Sequence, residues 1–157
     1  MNMFSLTAAL LCTTLAALSG VARAHVSLEQ SSAIAGSYQK LTFRVGHGCQ
    51  GSATHTIAVT LPDGLASAKP MPKTGWAIAA SSPREVIWKG GPLPDGWFDE
   101  FSMMVKLPDT AGKYYFKVAQ LCENGRMDWA ELPGATAVTM PAPSLDVLPA
   151  AGPAKHH

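Results

Sequence analysis

The sequence predicts an all-β domain built as a sandwich or a barrel. Short runs that favour β structure recur along the 157-residue chain and are separated by Gly, Pro, Asn and Asp, which is typical of such folds. Several runs alternate apolar and polar side chains, so each would bury one face and expose the other. No long stretch shows the period of an amphipathic helix, and we therefore expect little helix.

The strands can be assigned in order along the chain. The first, at 25–29, alternates, and in the second, at 38–45, Leu41, Phe43 and Val45 share one side. Further strands are expected at 56–61, 76–79, 85–88, 98–107, 114–121 and 126–131, with a last one at 145–148. Turn sequences occur at Pro62-Asp63-Gly64, Leu107-Pro108-Asp109 and Glu123-Asn124-Gly125. The last of these predicts a hairpin, because Asn-Gly favours tight turns.

Residues 1–24 are expected to be a signal peptide. Residues 4–18 are uncharged and mostly apolar, and Ala22-x-Ala24 supplies the small residues that signal peptidase requires. The apolar run is too short for a permanent membrane anchor, so membrane attachment is not expected after cleavage. The remaining chain predicts one domain at 25–148 and a disordered Pro/Ala/His-rich tail at 149–157.

The charge of the chain limits its expected partners, and its cysteines indicate their expected redox state. With 12 Lys plus Arg against 11 Asp plus Glu and a formal net charge of +1, nothing favours a nucleic-acid or anionic-membrane partner. After export, Cys49 and Cys122 would lie in an oxidising compartment, where pairing into a disulfide is the expected outcome. The alternative is that both stay reduced as thiolate ligands of Cu(I), which soft sulfur favours.

His25 would become the first residue of the mature protein if cleavage follows Ala24. Its free α-amine and its imidazole Nδ1 could then close a six-membered ring on one cation. Such a nitrogen pair suits Cu(II), whereas zinc sites usually need three or four protein side chains. The alternative is that an arbitrary residue begins the mature chain, although a terminus within a strand is held in place instead of fraying.

His47 and Trp129 are the next candidates. If 31–37 forms the turn of a hairpin, the strand at 38–45 runs back past His25, and the following loop brings His47 near the same metal. A disulfide would pull the 123–125 hairpin against this loop and bring Trp129 close. The alternatives are a loop histidine bonded to backbone and a core tryptophan. The nearby carboxylates would complete the coordination or orient His25; they are Glu123, Asp128 and Glu131.

Several segments together resemble the YcnI-like family, a domain of unknown function numbered 1775, over residues 25 to about 148. The segments are His25-Val26-Ser27-Leu28, Ala35-Gly36-Ser37-Tyr38 before Leu41-Thr42-Phe43-Arg44-Val45, His47-Gly48-Cys49-x-Gly51-Ser52, Lys69-Pro70-x-Pro72-x-x-Gly75-Trp76 and Asp128-Trp129. The resemblance implies an exported Greek-key β-sandwich of cupredoxin or immunoglobulin-like type. It also implies Cu(II) held by a single-histidine brace, with an acidic ligand and a tryptophan beside the metal.

The family's site residues carry over in part. The histidine corresponds to His25 and the tryptophan to Trp129, with Asp128 beside it. The acidic ligand belongs to a loop where this chain has His47-Gly48-Cys49-Gln50. We therefore expect His47 to replace it, with the Cys49 to Cys122 disulfide as a feature of this branch.

The resulting expectation is a non-enzymatic copper protein of the bacterial periplasm or cell envelope. It would act in copper acquisition, buffering or delivery, with another envelope copper protein or a transporter as its partner. Two other functions stay open. One is a copper-dependent oxidative enzyme of the polysaccharide monooxygenase type, and the other is a metal-free module for adhesion or partner binding.

Overall fold

The computed structural model describes residues 25–82, 84–134 and 136–152, and over these residues the chain folds into β-strands without a helix. The strands are β1 (Ser27–Leu28), β2 (Ser32–Ile34), β3 (Tyr38–Val45), β4 (Thr54–Thr60), β5 (Ser67–Pro70), β6 (Trp76–Ser81), β7 (Glu85–Leu93), β8 (Asp99–Lys106), β9 (Gly112–Tyr115), β10 (Lys117–Cys122), β11 (Arg126–Trp129) and β12 (Ser144–Leu148). In these described ranges no helix has the length and apolar character needed to cross a membrane. The expected signal peptide and residues 153–157 of the expected tail lie outside them.

The strands form three sheets. One has the order β1-β3-β8-β5, the second β11-β10-β4-β7-β6, and the third β2-β12-β9. Inward side chains of the two larger sheets form the core, and Phe101 of β8 packs against Trp88 of β7 with ring centroids 5.7 Å apart. Both rings are fully buried. The all-β sandwich predicted from the alternating runs is therefore confirmed.

The long predicted strands occur close to their expected positions. Strand β3 has the predicted bounds, and β8 differs from the predicted 98–107 by one residue at each end. Strand β12 confirms the last predicted strand and lies between β2 and β9 in its sheet. In these elements the hydrophobic pattern and the tertiary structure agree.

Three of the differences from the sequence prediction concern the number and the pairing of the strands. Strand β2 lies within the predicted turn 31–37 and pairs in parallel with β12, which no local pattern in so short a segment reveals. The predicted strand 114–121 is two strands in two sheets, separated at the buried Phe116, whose N–H donates to the carbonyl of Pro143. Strand β5 was missed because Ser-Ala-Lys-Pro has little β propensity, and its pairing with β8 decides its conformation.

The end of the sandwich that carries the predicted site is set by the pairing of β1 with β3. These strands are antiparallel, with Ser27 opposite Arg44. Continued by two residues, this register brings His25 level with Gly46 and beside His47. The expected return of the second strand past His25 is thus confirmed.

Candidate metal centre

His25 is half-buried just before β1, and the neighbouring Val26 anchors it by packing into the core. The imidazole Nε2 of His25 lies 3.2 Å from the carbonyl oxygen of Thr139. A carbonyl oxygen only accepts hydrogen bonds, so in the neutral ring Nε2 carries the proton and donates it. The lone pair of the imidazole is then on Nδ1, the ring nitrogen that is separated by fewer bonds from the main-chain nitrogen.

The segment that supplies the Thr139 carbonyl is held by Glu131. The carboxylate of Glu131 accepts hydrogen bonds from the backbone N–H of Thr139 at 2.6 Å and of Met140 at 2.9 Å. The backbone N–H groups of Met140 and Thr139 lower the pKa of the Glu131 carboxyl below its usual value, because they stabilise its charged form. Glu131 therefore orients His25 indirectly, through the main chain of Thr139.

His47 lies in the loop that follows β3, and its ring is half-buried. Its Nδ1 is within hydrogen-bonding distance of the carbonyl oxygen of Gly48, so Nδ1 donates and the lone pair of the neutral ring is on Nε2. The main-chain carbonyl of His47 accepts a hydrogen bond of 2.6 Å from the side-chain Nε2 of Gln120. Both the ring and the backbone of His47 are thus oriented by carbonyl and amide groups.

The loop carrying His47 closes tightly after it. Cys49 and Ser52 exchange two backbone hydrogen bonds of 2.9 and 3.0 Å, and Gln50 occupies a left-handed conformation with φ of 51°. A Cβ atom on Gly48 would lie 2.0 Å from the carbonyl oxygen of Ser52, so only glycine fits there. The N–H of Gly48 also donates to the carbonyl of Asp95 at 3.1 Å.

Cys49 and Cys122 form a disulfide, as the sequence predicted, with Cα atoms 5.9 Å apart. Both residues are buried, at 3% and 5% exposure. The bridge joins the His47 loop to the end of β10 across a separation of 73 residues. In this structure the two sulfur atoms are bonded to each other, so they are not the pair of thiolates considered above.

Trp129 contacts both histidines. Its ring centroid lies 5.4 Å from that of His25 at an interplanar angle of 83°, and 6.2 Å from that of His47 at 67°. Trp129 is also part of the core, with 3% of its surface exposed. The core interpretation and the site interpretation of this tryptophan are therefore compatible, because the buried indole also contacts both histidine rings.

The acidic residues proposed from the sequence lie in different places. Asp128 is exposed and forms a salt bridge of 2.7 Å with Arg126. Since neighbouring strand residues point to opposite faces, Asp128 lies on the face of β11 away from Trp129. Glu123 is exposed in the hairpin turn after β10. Of the three carboxylates, only Glu131 is linked to His25.

Side chains alone do not make a conventional metal site here. Across the described ranges 25–82, 84–134 and 136–152, no three His, Cys, Asp or Glu side chains are grouped so that they could hold a metal ion. A centre at His25 therefore needs a donor that is not a side chain. Cleavage after Ala24 would create one, the α-amine of His25.

Two residues that shape the site were not found from the sequence. Gln120 is fully buried on β10 at an inward position between Val118 and Cys122, and an amide at a core position of an alternating strand was a detectable signal. Thr139 acts only through its carbonyl oxygen, which every residue has. No sequence pattern could have identified it.

Comparison with known proteins places the chain in a family. The family described as "Domain of unknown function (DUF1775)" matches residues 25–84 and 79–147. No curated protein matches the chain. An uncharacterized protein from Nocardia farcinica with an immunoglobulin-like fold is 27% identical, with a TM-score of 0.66 over 78% of this chain and 97% of that one.

A second structural relative supports the fold alone. It is a protein from Corynebacterium diphtheriae described as membrane anchored, with 10% identity, a TM-score of 0.50 and coverage of 82% of this chain and 34% of that one. The immunoglobulin-like β-sandwich expected from the resemblance is thus confirmed by solved structures. This chain belongs to the YcnI-like DUF1775 family.

Proposed function

We propose that the processed protein binds Cu(II) in the bacterial cell envelope and acts in copper acquisition, buffering or delivery. The α-amine and Nδ1 of His25 would hold the ion, with Nε2 of His47 as a third nitrogen donor. Copper is the cargo of this protein, and a second envelope copper protein or a transporter would give or receive it.

The observation that carries the proposal is the contact between His25 Nε2 and the carbonyl of Thr139. A chelate through the α-amine requires the lone pair on Nδ1, because only that nitrogen closes a six-membered ring with the amine. The Thr139 carbonyl favours this tautomer before any metal binds. Hydrogen bonds from the far nitrogen of a metal-binding histidine to a carbonyl commonly orient such ligands.

The second support is that His47 is oriented in the matching way. Its Nδ1 is engaged by the Gly48 carbonyl, which leaves the lone pair on Nε2. Both histidines also pack edge-on against Trp129, so their rings are restrained by the same indole. Two rings that are already restrained lose less conformational entropy when they bind a metal than two mobile rings would.

The donor chemistry favours Cu(II) over other metals. Three nitrogen donors suit the tetragonal preference of Cu(II), which also has the highest affinity in the divalent series. Zinc centres usually take three or four side-chain ligands, which the described residues do not group together. The soft sulfur atoms that would favour Cu(I) are bonded to each other.

An exported, non-enzymatic role fits the remaining features. The disulfide is typical of proteins in an oxidising compartment, and this agrees with the signal peptide predicted at 1–24. Buffering or delivery requires a reversible metal site and no bound organic substrate. Oxygen-dependent cleavage of a glycan with turnover by the copper-loaded protein would instead assign the oxidative function.

The decisive experiment compares the processed protein with a form that carries one extra alanine before His25. Cu(II) affinity is measured by calorimetry and the coordination by electron paramagnetic resonance. We expect the extension to abolish the high-affinity site, because the amine moves out of chelating reach while the fold is unchanged. Equal affinity of the two forms would overturn the proposal, as would mass spectrometry showing a mature terminus other than an unblocked His25.

His47 is tested separately. His47→Ala should weaken binding and change the nitrogen hyperfine pattern, while His55→Ala on β4 serves as the control. An unchanged spectrum in His47→Ala would remove the third donor and leave the chelate of His25 intact. In the wild type and in His47→Ala alike, the Cu(II) affinity should fall below neutral pH, because protons compete for the donor nitrogens.

A further inference from the structure

We propose that Gln120 is the positioning residue of the copper centre, and that its single amide sets the copper affinity by fixing Trp129 and His47 relative to each other. This inference rests on the proposed function and extends it to a residue that does not bind the metal. Its starting point is the burial of a polar side chain. Gln120 is 0% exposed, at an inward position of β10.

A buried amide is unfavourable unless it forms hydrogen bonds. The amide of Gln120 uses both of its N–H donors, to the carbonyl of His47 at 2.6 Å and to the hydroxyl of Thr54 at 2.8 Å. Its oxygen accepts from the indole Nε1 of Trp129 at 3.1 Å. Among the described residues, no buried side-chain nitrogen or oxygen is left without a hydrogen-bond partner.

The orientation of this amide is determined by its neighbours. The indole N–H of Trp129 can only donate and the carbonyl of His47 can only accept. The oxygen of Gln120 must therefore face the indole and its nitrogen must face the loop. Because the reversed amide would place donor against donor and acceptor against acceptor, a single arrangement is selected.

The strand register explains why one side chain reaches both partners. Trp129 lies opposite Val118 in the pairing of β10 with β11, so it is the diagonal neighbour of Gln120 on the same inward face. The His47 loop is joined to β10 two residues further on, through the disulfide of Cys122. Gln120 thus lies between the anchor of the indole and the covalent anchor of the loop.

This position gives Gln120 a role beyond stability. The indole of Trp129 contacts both histidine rings. The ring of His47 is also attached to the backbone that Gln120 holds. Loss of the amide would free the indole N–H and the His47 carbonyl together, and the two rings would no longer share a fixed geometry. Loss of such an outer hydrogen bond typically lowers metal affinity by about 10–100-fold.

The test uses two substitutions in the full processed protein. Gln120→Met keeps the length of the side chain and removes all its hydrogen bonds. Gln120→Glu keeps an acceptor for Trp129 and removes the donor to His47. Val105→Ala, in the core on β8, is the control for a general loss of stability, because Val105 is fully buried and pairs near the start of β3, at the opposite end of that strand from His47.

In the copper titration we expect Gln120→Met to weaken Cu(II) binding by about 10–100-fold and to alter the electron paramagnetic resonance spectrum. Gln120→Glu should alter the spectrum in the same direction, since the His47 contact is lost in both. Val105→Ala should keep the wild-type spectrum and affinity. Wild-type affinity and spectrum in both Gln120 variants would overturn the inference.

A measurement without metal separates this inference from the proposed function. In nuclear magnetic resonance of the metal-free protein, the indole N–H of Trp129 should exchange slowly in the wild type and fast in Gln120→Met. The proton contacts between the rings of His47 and Trp129 should weaken in both Gln120 variants. Val105→Ala should keep the slow indole exchange and the ring contacts of the wild type. If the wild type binds no Cu(II), the proposed function fails, and unchanged ring contacts in the variants would overturn the positioning role by itself.

Discussion

The two histidines that contact Trp129 are anchored by different kinds of interaction. His47 lies in a loop restrained by a buried disulfide and by the fully buried Gln120. His25 precedes a strand of only two residues, and its ring is oriented by the carbonyl of Thr139 in an exposed segment that Glu131 holds. The first anchor depends on covalent and buried contacts, and the second on hydrogen bonds that water and protons can reach.

Because the anchors differ, the two sides of the proposed centre should respond to different perturbations. The His47 side should be sensitive to packing and to the disulfide. The His25 side should be sensitive to pH and to the charge of Glu131. Four variants test this contrast, and they follow in decreasing order of the effect that we expect.

Removal of the disulfide should have the largest effect on stability. We expect the double substitution Cys49→Ser and Cys122→Ser to lower the free energy of unfolding by about 2–5 kcal/mol, because the bridge closes a long loop in the unfolded chain. Urea unfolding monitored by fluorescence measures the change. Reduced wild-type protein is the control and should behave like the double variant. If the double variant were as stable as the oxidised wild type, the bridge would not restrain this loop.

Gly48→Ala should have the next largest effect. The new Cβ would lie 2.0 Å from the backbone oxygen of Ser52, so the loop must shift, and overpacking of this kind costs about 1–3 kcal/mol. Gly96→Ala is the matched control in the neighbouring loop, since its Cβ would meet nothing within 4 Å. Urea unfolding of both variants compares them, and equal stabilities would contradict the close approach at Gly48.

Glu131→Gln should act through pH. The folded-state pKa of Glu131 is lowered by the N–H groups of Met140 and Thr139. The carboxylate therefore stabilises the fold above the ordinary pKa of glutamate, and this stabilisation is lost as the pH falls through the lowered folded-state value. We expect Glu131→Gln to lower the melting temperature at neutral pH and to flatten its decline in acid.

Thermal unfolding over a range from neutral to acidic pH checks this prediction. Glu123→Gln, at an exposed glutamate in the hairpin turn, should keep the wild-type profile. The Cu(II) affinity of Glu131→Gln should also fall, since the carbonyl that orients His25 loses its support. A wild-type pH profile in Glu131→Gln would show that the 139–140 segment is held by other contacts.

Asp128→Asn should have the smallest effect. Asp128 and Arg126 are exposed, and surface ion pairs contribute little because water and salt screen them. We expect an unchanged melting temperature and an unchanged copper spectrum. A clear change in the copper spectrum would instead mean that this carboxylate reaches the metal from the far face of β11.

Much of the fold could be predicted from the sequence. Strands β3 and β8 are long, alternate clearly and carry large buried side chains such as Phe43 and Phe101, so local pattern and tertiary burial agree. Strands β2 and β5 could not be found, because their short sequences contain no pattern and their conformation comes from pairing with β12 and β8. The division of the predicted strand 114–121 at Phe116 could not be found from local sequence either. Apolar runs on both sides of it look alike although they enter different sheets.

The candidate site was also predicted in part from the sequence. His25 was identified by its position after the expected cleavage point. The expected strand order and the family resemblance identified His47 and Trp129, and the expected export identified the cysteine pair. The structure brings both histidines to Trp129 and bonds the two cysteines to each other. The assignment of the nearby carboxylates was less complete, since only Glu131 is linked to His25, through a chain of backbone hydrogen bonds.

The amino-acid sequence alone was enough to predict the class of fold, to favour the pairing of Cys49 with Cys122 and to identify the types of donor atom near His25. These follow from hydrophobic periodicity, composition and side-chain chemistry, which are local properties of a chain. The folded arrangement was needed to identify which nitrogen of each histidine keeps its lone pair and which amide holds Trp129 to the His47 loop. Apart from the bond between the indole of Trp129 and the side-chain oxygen of Gln120, these choices depend on hydrogen bonds to main-chain carbonyls. Any residue supplies such a carbonyl, so only its position in space makes it specific.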